Sequence, residues 1–278
     1  MSDAAQNELR ARARELLEAG RVDAVLGYAE GTIAGRTTPV LARKPDEADK
    51  LVLNRQCVNN LTVYLNRPEI KKIGKMAIVA KPADIKAVFV LIQENQVAPD
   101  SVEIIGVTTV PECSVLPQRT HKELLDYLVK NVLPTELDAD DLAEVAKLDA
   151  MTPDQRWAYW QEQYAKCIRC YACRQVCPLC YCARCIVEKN RPQWVETSPH
   201  ERGNLAWNIT RAFHLAGRCV GCGECERACP MGIPLMKLNR KLAREVRDSF
   251  HGYVAGYACE GDPVLAGYRP DDPNDFFE

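Results

Sequence analysis

The 278-residue sequence lacks the marks of several common protein classes. Its longest purely apolar stretch is residues 87–92, against the ~20 residues a membrane helix needs. The N-terminal stretch MSDAAQNELRARARELLEAG is charged and contains no apolar run, so no secretory signal is legible. A cytoplasmic location is expected. Charge of one sign is also missing. With 36 Lys and Arg against 38 Asp and Glu, the net charge is −2, so there is no basic footprint for nucleic acid. Neither G-x-G-x-x-G nor G-x-x-x-x-G-K-[ST] occurs, so a dinucleotide or P-loop site has no sequence support. Histidine is scarce: His121, His200, His214 and His251 are the four, and no two stand at ligand spacing. No Ser–His–Asp arrangement can be read.

Cysteine, by contrast, is plentiful. Of 14, Cys57 and Cys113 stand alone in the first half, eleven fall within residues 167–229, and Cys259 follows by itself. The stretch CIRCYACRQVCPLCYCARC puts seven thiols into residues 167–185. Disulfide staples are the poorest reading. Thiols stay reduced in the cytosol, and a chain this long, 47% hydrophobic, can bury a core without them.

The pattern is a repeat. Cys167, Cys170, Cys173 and Cys177-Pro178 spell C-x2-C-x2-C-x3-C-P, and Cys219, Cys222, Cys225 and Cys229-Pro230 spell it again, each 52 positions later. This is the bacterial two-cluster run, in which the fourth cysteine ligates the other cluster. Three closely spaced thiolates wrap one face of a cubane, and the fourth arrives after a further turn. The expected ligands are Cys167, Cys170, Cys173 and Cys229 for one [4Fe-4S] cluster (A), and Cys219, Cys222, Cys225 and Cys177 for the other (B). Two zinc sites are the alternative, but zinc favours two well-separated pairs. Gly221, Gly223 and Gly232 lie beside the ligands, where they let backbone approach cluster sulfur. Lys166, Arg169, Arg174 and Arg218 would favour the reduced cluster, or else form a solvated face.

Cys180, Cys182 and Cys185 are surplus to this run. They could hold a third [4Fe-4S] cluster with Cys57, Cys113 or Cys259 as fourth ligand, Cys57 being preferred. A zinc knot or buried spares are the alternatives. The register is open too, because Cys177 and Cys180 are themselves C-x2-C.

The fold class expected is an α/β N-terminal domain over residues 1–150, with a small parallel sheet and helices. A mainly α-helical two-cluster ferredoxin-like domain follows over residues 151–258, then an extended tail over 259–278. Residues 24–29, 75–80 and 102–110 are short apolar β-rich runs, as buried parallel strands would be. Residues 82–96 read as a helix with Ile85, Val88, Phe89 and Ile92 on one face, completing a βαβ unit. Further helices are expected over 8–19, 46–65 and 121–133. At residue 151 the composition changes, and Thr152-Pro153-Asp154 reads as a helix start. Helices over 153–166, 203–216 and 233–246 follow. Leu205, Ile209 and Phe213 stand at helical spacing on the second of these. Trp157, Tyr159 and Trp160 on the first, and the extended tail, are candidate partner surfaces, with core packing the alternative for the tryptophans.

Two resemblances rest on these residues. The segment CVGCGECERACPMGIP, with the helix NLAWNITRAFHLAGR before it, looks like the helical two-cluster modules of heterodisulfide reductase small subunits. The whole chain resembles iron–sulfur proteins related to coenzyme F420 hydrogenase and formate dehydrogenase beta subunits. That likeness rests on AEGTIAGRTTP, QCVNNLTVYL, KMAIVAKPADIKAVFVLIQENQV, the cysteine runs and YRPDDP. It implies an electron-transfer subunit of a multi-subunit anaerobic oxidoreductase of the hydrogenase, formate dehydrogenase or heterodisulfide reductase kind. The alternative it implies is a flavin-containing (FAD) subunit that itself reduces a deazaflavin or nicotinamide. A zinc-stapled interaction module is a third reading, from the cysteines alone. The chain departs from the pattern at Lys81-Pro82-Ala83-Asp84, where relatives show Lys-Gly-Cys-Asp, and at Pro111-Glu112-Cys113, where they show Pro-Cys. Both departures fit a domain kept as a docking scaffold, and a non-catalytic subunit.

Overall fold

The computed structural model describes residues 3–108, 113–134, 141–188, 191–258 and 260–264. Its centre is a four-stranded sheet in the order β2-β1-β3-β4. β1 (Ala24–Glu30), β3 (Met76–Ala80) and β4 (Val102–Gly106) are parallel neighbours within the three apolar runs; the third run is strand only as far as Gly106, and its residues 109–110 lie outside the described residues. The sheet is nevertheless mixed, not parallel throughout. β2 (Thr37–Ala42) pairs antiparallel with β1 along its edge. Its Pro39, opposite Tyr28, hides the strand from a pattern reading, yet an edge strand tolerates proline.

A second correction concerns residues 46–65. They form no continuous helix but two 3-10 turns, Pro45–Lys50 and Leu61–Tyr64, with irregular chain between. Tertiary demands override the helix-like composition here. Val52 N–H donates to Tyr28 O at 2.8 Å, extending the ladder of β1. Leu51 packs over Gly27, where an added Cβ would lie 2.5 Å from Leu51 Cδ2. The Asn54 and Asn60 side chains accept from Gln56 N–H and Thr62 N–H, local bonds that compete with helix.

α1 (Asp3–Glu18) starts earlier than expected and buries Leu9, Ala13 and Leu16, while Gly20 at φ +62° ends it. α2 (Pro82–Gln93) joins β3 to β4. It is buried on all sides from Asp84 to Gln93, not along one face. The sheet covers one side and the C-terminal segment another: Tyr253 Oη donates to Gln93 Oε1 at 3.4 Å, and Lys86 Nζ lies 5.4 Å from the Tyr257 ring centroid.

The second half is helical: α3 (His121–Asn131), α4 (Asp141–Asp149), α5 (Pro153–Ala165), α6 (Ala172–Gln175), α7 (Glu201–His214), α8 (Glu224–Arg227) and α9 (Leu235–Ser249). Thr152 caps α5 as expected, accepting from Gln155 N–H at 3.3 Å. Of the aromatics on α5, Trp160 and Tyr164 are core while Trp157 is exposed. The apolar core built on the sheet also takes in Leu179, Leu215, Val220 and Ala255, so packing crosses residue 150. A second core joins Leu148, Trp160, Tyr164, Ile233, Leu235 and Met236 around Cys225. The expected tail falls mostly outside the described residues, as does Cys259.

Candidate iron–sulfur centre

The sequence repeat is also a backbone repeat. Arg169 and Tyr171 in the first run have φ near +58°, and their counterparts 52 residues on, Gly221 and Gly223, have φ of +73° and +74°. α6 and α8 then begin at corresponding positions, with Arg174 N–H donating to Tyr171 O and Glu226 N–H to Gly223 O. Left-handed residues between cysteines let the chain wrap tightly, and glycine is the inexpensive choice. Arg169 adopts that conformation without being glycine. Its buried side chain offsets the strain, donating to Gly203 O at 2.5 Å and Glu196 O at 2.8 Å and lying over the Trp207 ring. Arg169 is thus a brace from the first run to α7, not a surface charge.

Among the described residues, no three Cys, His, Asp or Glu side chains close around one point as a single metal ion requires. The thiols instead share walls. Cys167, Cys170, Cys173 and Cys229 line one small cavity together with Trp207 and Asn208. In the other group Cys219, Cys222 and Cys225 each sense the charge of Cys177. Burial pushes Cys173 up to about 11 and Cys219 up to about 12. Cys225 is raised by the same cause. A buried thiolate needs nearby positive charge, which cluster iron supplies. Thiols clustered and desolvated in this way fit such a group.

α7 supplies residues that the sequence pattern does not single out. Leu205, Ile209 and Phe213 share helical spacing, yet Phe213 is 61% exposed. The buried face instead carries Asn204, Trp207, Asn208 and Arg211. Asn204 Nδ2 donates to Cys167 O at 2.7 Å, and Arg211 Nη2 donates to Cys173 O at 3.0 Å. His200 caps the helix, its ring accepting from Gly203 N–H. The polar stripe therefore holds the carbonyls of the first cysteine run, and a polar residue every third or fourth position is the readable signal.

The surplus cysteines are divided. Cys180, Cys182 and Cys185 line one cavity of about 260 Å³ with Arg174, His214 and Arg218. Cys180 also shares a side-chain hydrogen bond with Cys177, which lowers the latter's pKa and raises its own. Cys57 and Cys113 lie elsewhere, lining a different cavity of about 600 Å³ with Lys81, Arg227 and Cys222. Cys57, the preferred fourth partner of the trio, is not gathered with it. Its Sγ donates instead to Val52 O at 3.6 Å. The larger cavity opens at the carboxyl ends of β3 and β4, through Lys81, Val107 and Thr108. There Lys81 Nζ pairs with the buried Asp84 at 2.7 Å and donates to Asn59 O at 2.7 Å.

Among the described residues no helix is long and apolar enough to cross a membrane. Residues 166–234 match the 4Fe-4S dicluster domain family. The chain is 38% identical over 98 residues to the F420-dependent formate dehydrogenase subunit beta of Methanocaldococcus jannaschii, covering 35% of this chain and 25% of that one. It is 37% identical over 111 residues to the F420-dependent formate dehydrogenase 1 subunit beta of Methanococcus maripaludis, covering 40% and 28%. The acetyl-CoA decarbonylase/synthase complex subunit alpha 1 of Methanosarcina acetivorans is 26% identical over 198 residues, covering 71% of this chain and 21% of its own. The chain thus spans about a quarter of the length of the curated relatives it matches. It carries a 4Fe-4S dicluster domain and is an iron–sulfur protein similar to formate dehydrogenase beta subunits.

Proposed function

We propose that this chain is an electron-transfer subunit of a multi-subunit cytoplasmic oxidoreductase, relaying single electrons through two [4Fe-4S] clusters. Cys167, Cys170, Cys173 and Cys229 hold one cluster, and Cys219, Cys222, Cys225 and Cys177 hold the other. The observation that supports this reading is the surroundings of the two fourth cysteines. Cys229 of the second run shares a cavity with the first three cysteines, and Cys177 of the first run is felt by the last three. Each cluster supplies one-electron redox capacity when bound. The chain's own residues fix the spacing, keep water from thiols such as Cys225 and set the surrounding charge. In this proposal residues 1–150 are the scaffold and docking unit, and residues 151–258 are the wire. The partners are the other subunits of a formate dehydrogenase, hydrogenase or heterodisulfide-reductase-like complex, the first being the assembly named for two of the relatives.

One observation favours the second reading, a flavin-bearing subunit that itself reduces a deazaflavin or nicotinamide. The cavity of about 600 Å³ is large enough for a planar heterocycle and is walled on one side by Cys222, a proposed cluster ligand. Anaerobic purification, with iron, sulfide and flavin quantified on one sample, separates the two. About eight irons without flavin is the expected result. Stoichiometric flavin selects the second reading, and a folded, iron-free chain overturns both. About twelve irons, falling by about four in Cys182→Ser, assign a third cluster to Cys180, Cys182 and Cys185.

A further inference from the structure

Arg211 sits on the buried face of α7, 4% exposed. Its Nη2 donates to Cys173 O at 3.0 Å, and the charges of Cys177, Cys180, Cys225 and Cys173 all bear on its guanidinium. Nε is buried without a partner. Among the described residues no carboxylate forms an ion pair with it. A guanidinium removed from water without a counter-charge is strongly disfavoured. The thiols that bear on it belong to both sets, Cys173 to the first and Cys177 and Cys225 to the second, with Cys180 of the surplus trio beside them.

We propose that Arg211 is the shared counter-ion of the two clusters, a positioning residue that raises both reduction potentials together. This rests on the electron-transfer reading and adds to it the group that sets the wire's potential. A cluster held by four thiolates gains one negative charge on reduction. A fixed cation between two such clusters favours the reduced form of each. Cations nearer the surface have other partners: Arg174 pairs with Glu188, Arg218 with Glu94 and Arg227 with Glu224. Among the described residues Arg211 has the Cys173 carbonyl and the charge of the surrounding thiols.

The test is an anaerobic redox titration of the full chain followed by electron paramagnetic resonance, for wild type, Arg211→Gln, Arg211→Lys and Arg202→Gln. Arg202 is exposed on the same helix and serves as the control. Loss of the charge in Arg211→Gln is expected to change the oxidised-to-reduced ratio at a fixed poise at least tenfold for both clusters. That is about 59 mV toward lower potential for a one-electron couple. Arg211→Lys recovers most of the shift, and Arg202→Gln shows none. A fully iron-loaded Arg211→Gln whose potentials stay in place, or in which one cluster alone moves, overturns the proposal. Should that variant fail to load iron, wild type labelled with guanidino-15N arginine gives the decision. A 15N hyperfine coupling on a reduced cluster, lost in Arg211→Lys grown on the same label, supports the assignment, and its absence from wild type refutes it. A wild type without iron fails the electron-transfer reading itself, whereas a loaded wild type with an unresponsive Arg211 fails only this one.

Discussion

An ion pair joins the end of α2 to the cysteine runs, and breaking it tests whether the cluster region is anchored there. Glu94 follows the last turn of α2, and its side chain is 3% exposed. It accepts from Arg218 Nη2 at 2.7 Å and from Tyr181 Oη at 2.8 Å, and it also pairs with Arg218 Nε. Arg218, 16% exposed, immediately precedes Cys219 and lies 5.0 Å from the Tyr181 ring centroid. Tyr181 stands between Cys180 and Cys182. Glu94→Ala leaves a buried guanidinium and a phenol without their acceptor, a loss of about 3–5 kcal/mol. For a chain of this size each kcal/mol moves Tm by about 2 °C, so a fall of roughly 6–10 °C is expected. The assay is anaerobic heating at a fixed scan rate, following visible cluster absorbance and far-ultraviolet circular dichroism together, since cluster loss makes unfolding irreversible. Glu94→Leu combined with Arg218→Met removes both charges and should regain most of the loss. A single variant melting within about 2 °C of wild type would show that the pair does not anchor the two halves. A double variant no better than the single would show that the buried charge is not what costs stability.

Two further predictions concern the same packing. Gly256 has φ +82°, and a Cβ there would lie 2.4 Å from Lys86 Cβ and 2.8 Å from Lys86 Cα and O on α2. Gly256→Ala should cost at least ~2 kcal/mol from backbone strain and overlap combined. Gly252→Ala, at φ +80° with nothing within 4 Å, should cost only the strain; equal melting temperatures for the two would refute the seating of this segment on α2. His121 packs edge-on to Phe89, and burial holds its pKa below the ordinary imidazole value. The folded state therefore takes up this proton later than the unfolded chain does. The stability it contributes is complete above about pH 6.5 and is lost as pH falls below that. Melting at pH 7.5 and 5.5 should show a larger acid loss for wild type than for His121→Gln, and parallel losses would reject the assignment.

The legible parts of the fold have a shared physical basis. Strands β1, β3 and β4 are buried on both faces, so each reads as a continuous apolar run. Helix starts at Pro82 and Thr152-Pro153 follow from fixed φ and a side-chain acceptor, which are local properties. What stays hidden depends on partners distant in sequence. β2 is half-exposed and interrupted by Pro39, and it becomes a strand because β1 offers it an edge. Residues 51–60 have the apolar spacing of a helix, yet Leu51 and Val52 are committed to Gly27 and Tyr28. Nor can sequence spacing say that Cys57 lies with Cys113 and Cys222 instead of beside Cys182.

The candidate site shows the same division, and α7 explains why. Cysteine spacing is local chemistry, so both runs are legible from residue order alone. The helix that supports them is read by apolar periodicity, which assumes that the buried face of a helix meets side chains. α7 meets ligand-bearing turns. An irregular turn leaves backbone carbonyls unpaired, and buried carbonyls need donors. Asn204 and Arg211 supply them to Cys167 and Cys173. The face presented to such turns is therefore polar, and Phe213 is displaced to solvent. Asn204, Asn208 and Arg211, spaced by four and three, are the stripe to read when a helix lies between two cysteine runs. The apolar residues beside it, Leu205 and Ile209, pack against the second core instead. Periodicity correctly reports that α7 is amphipathic; it cannot report which face lies toward the thiols, because that depends on whether the neighbour offers carbon or carbonyl oxygen.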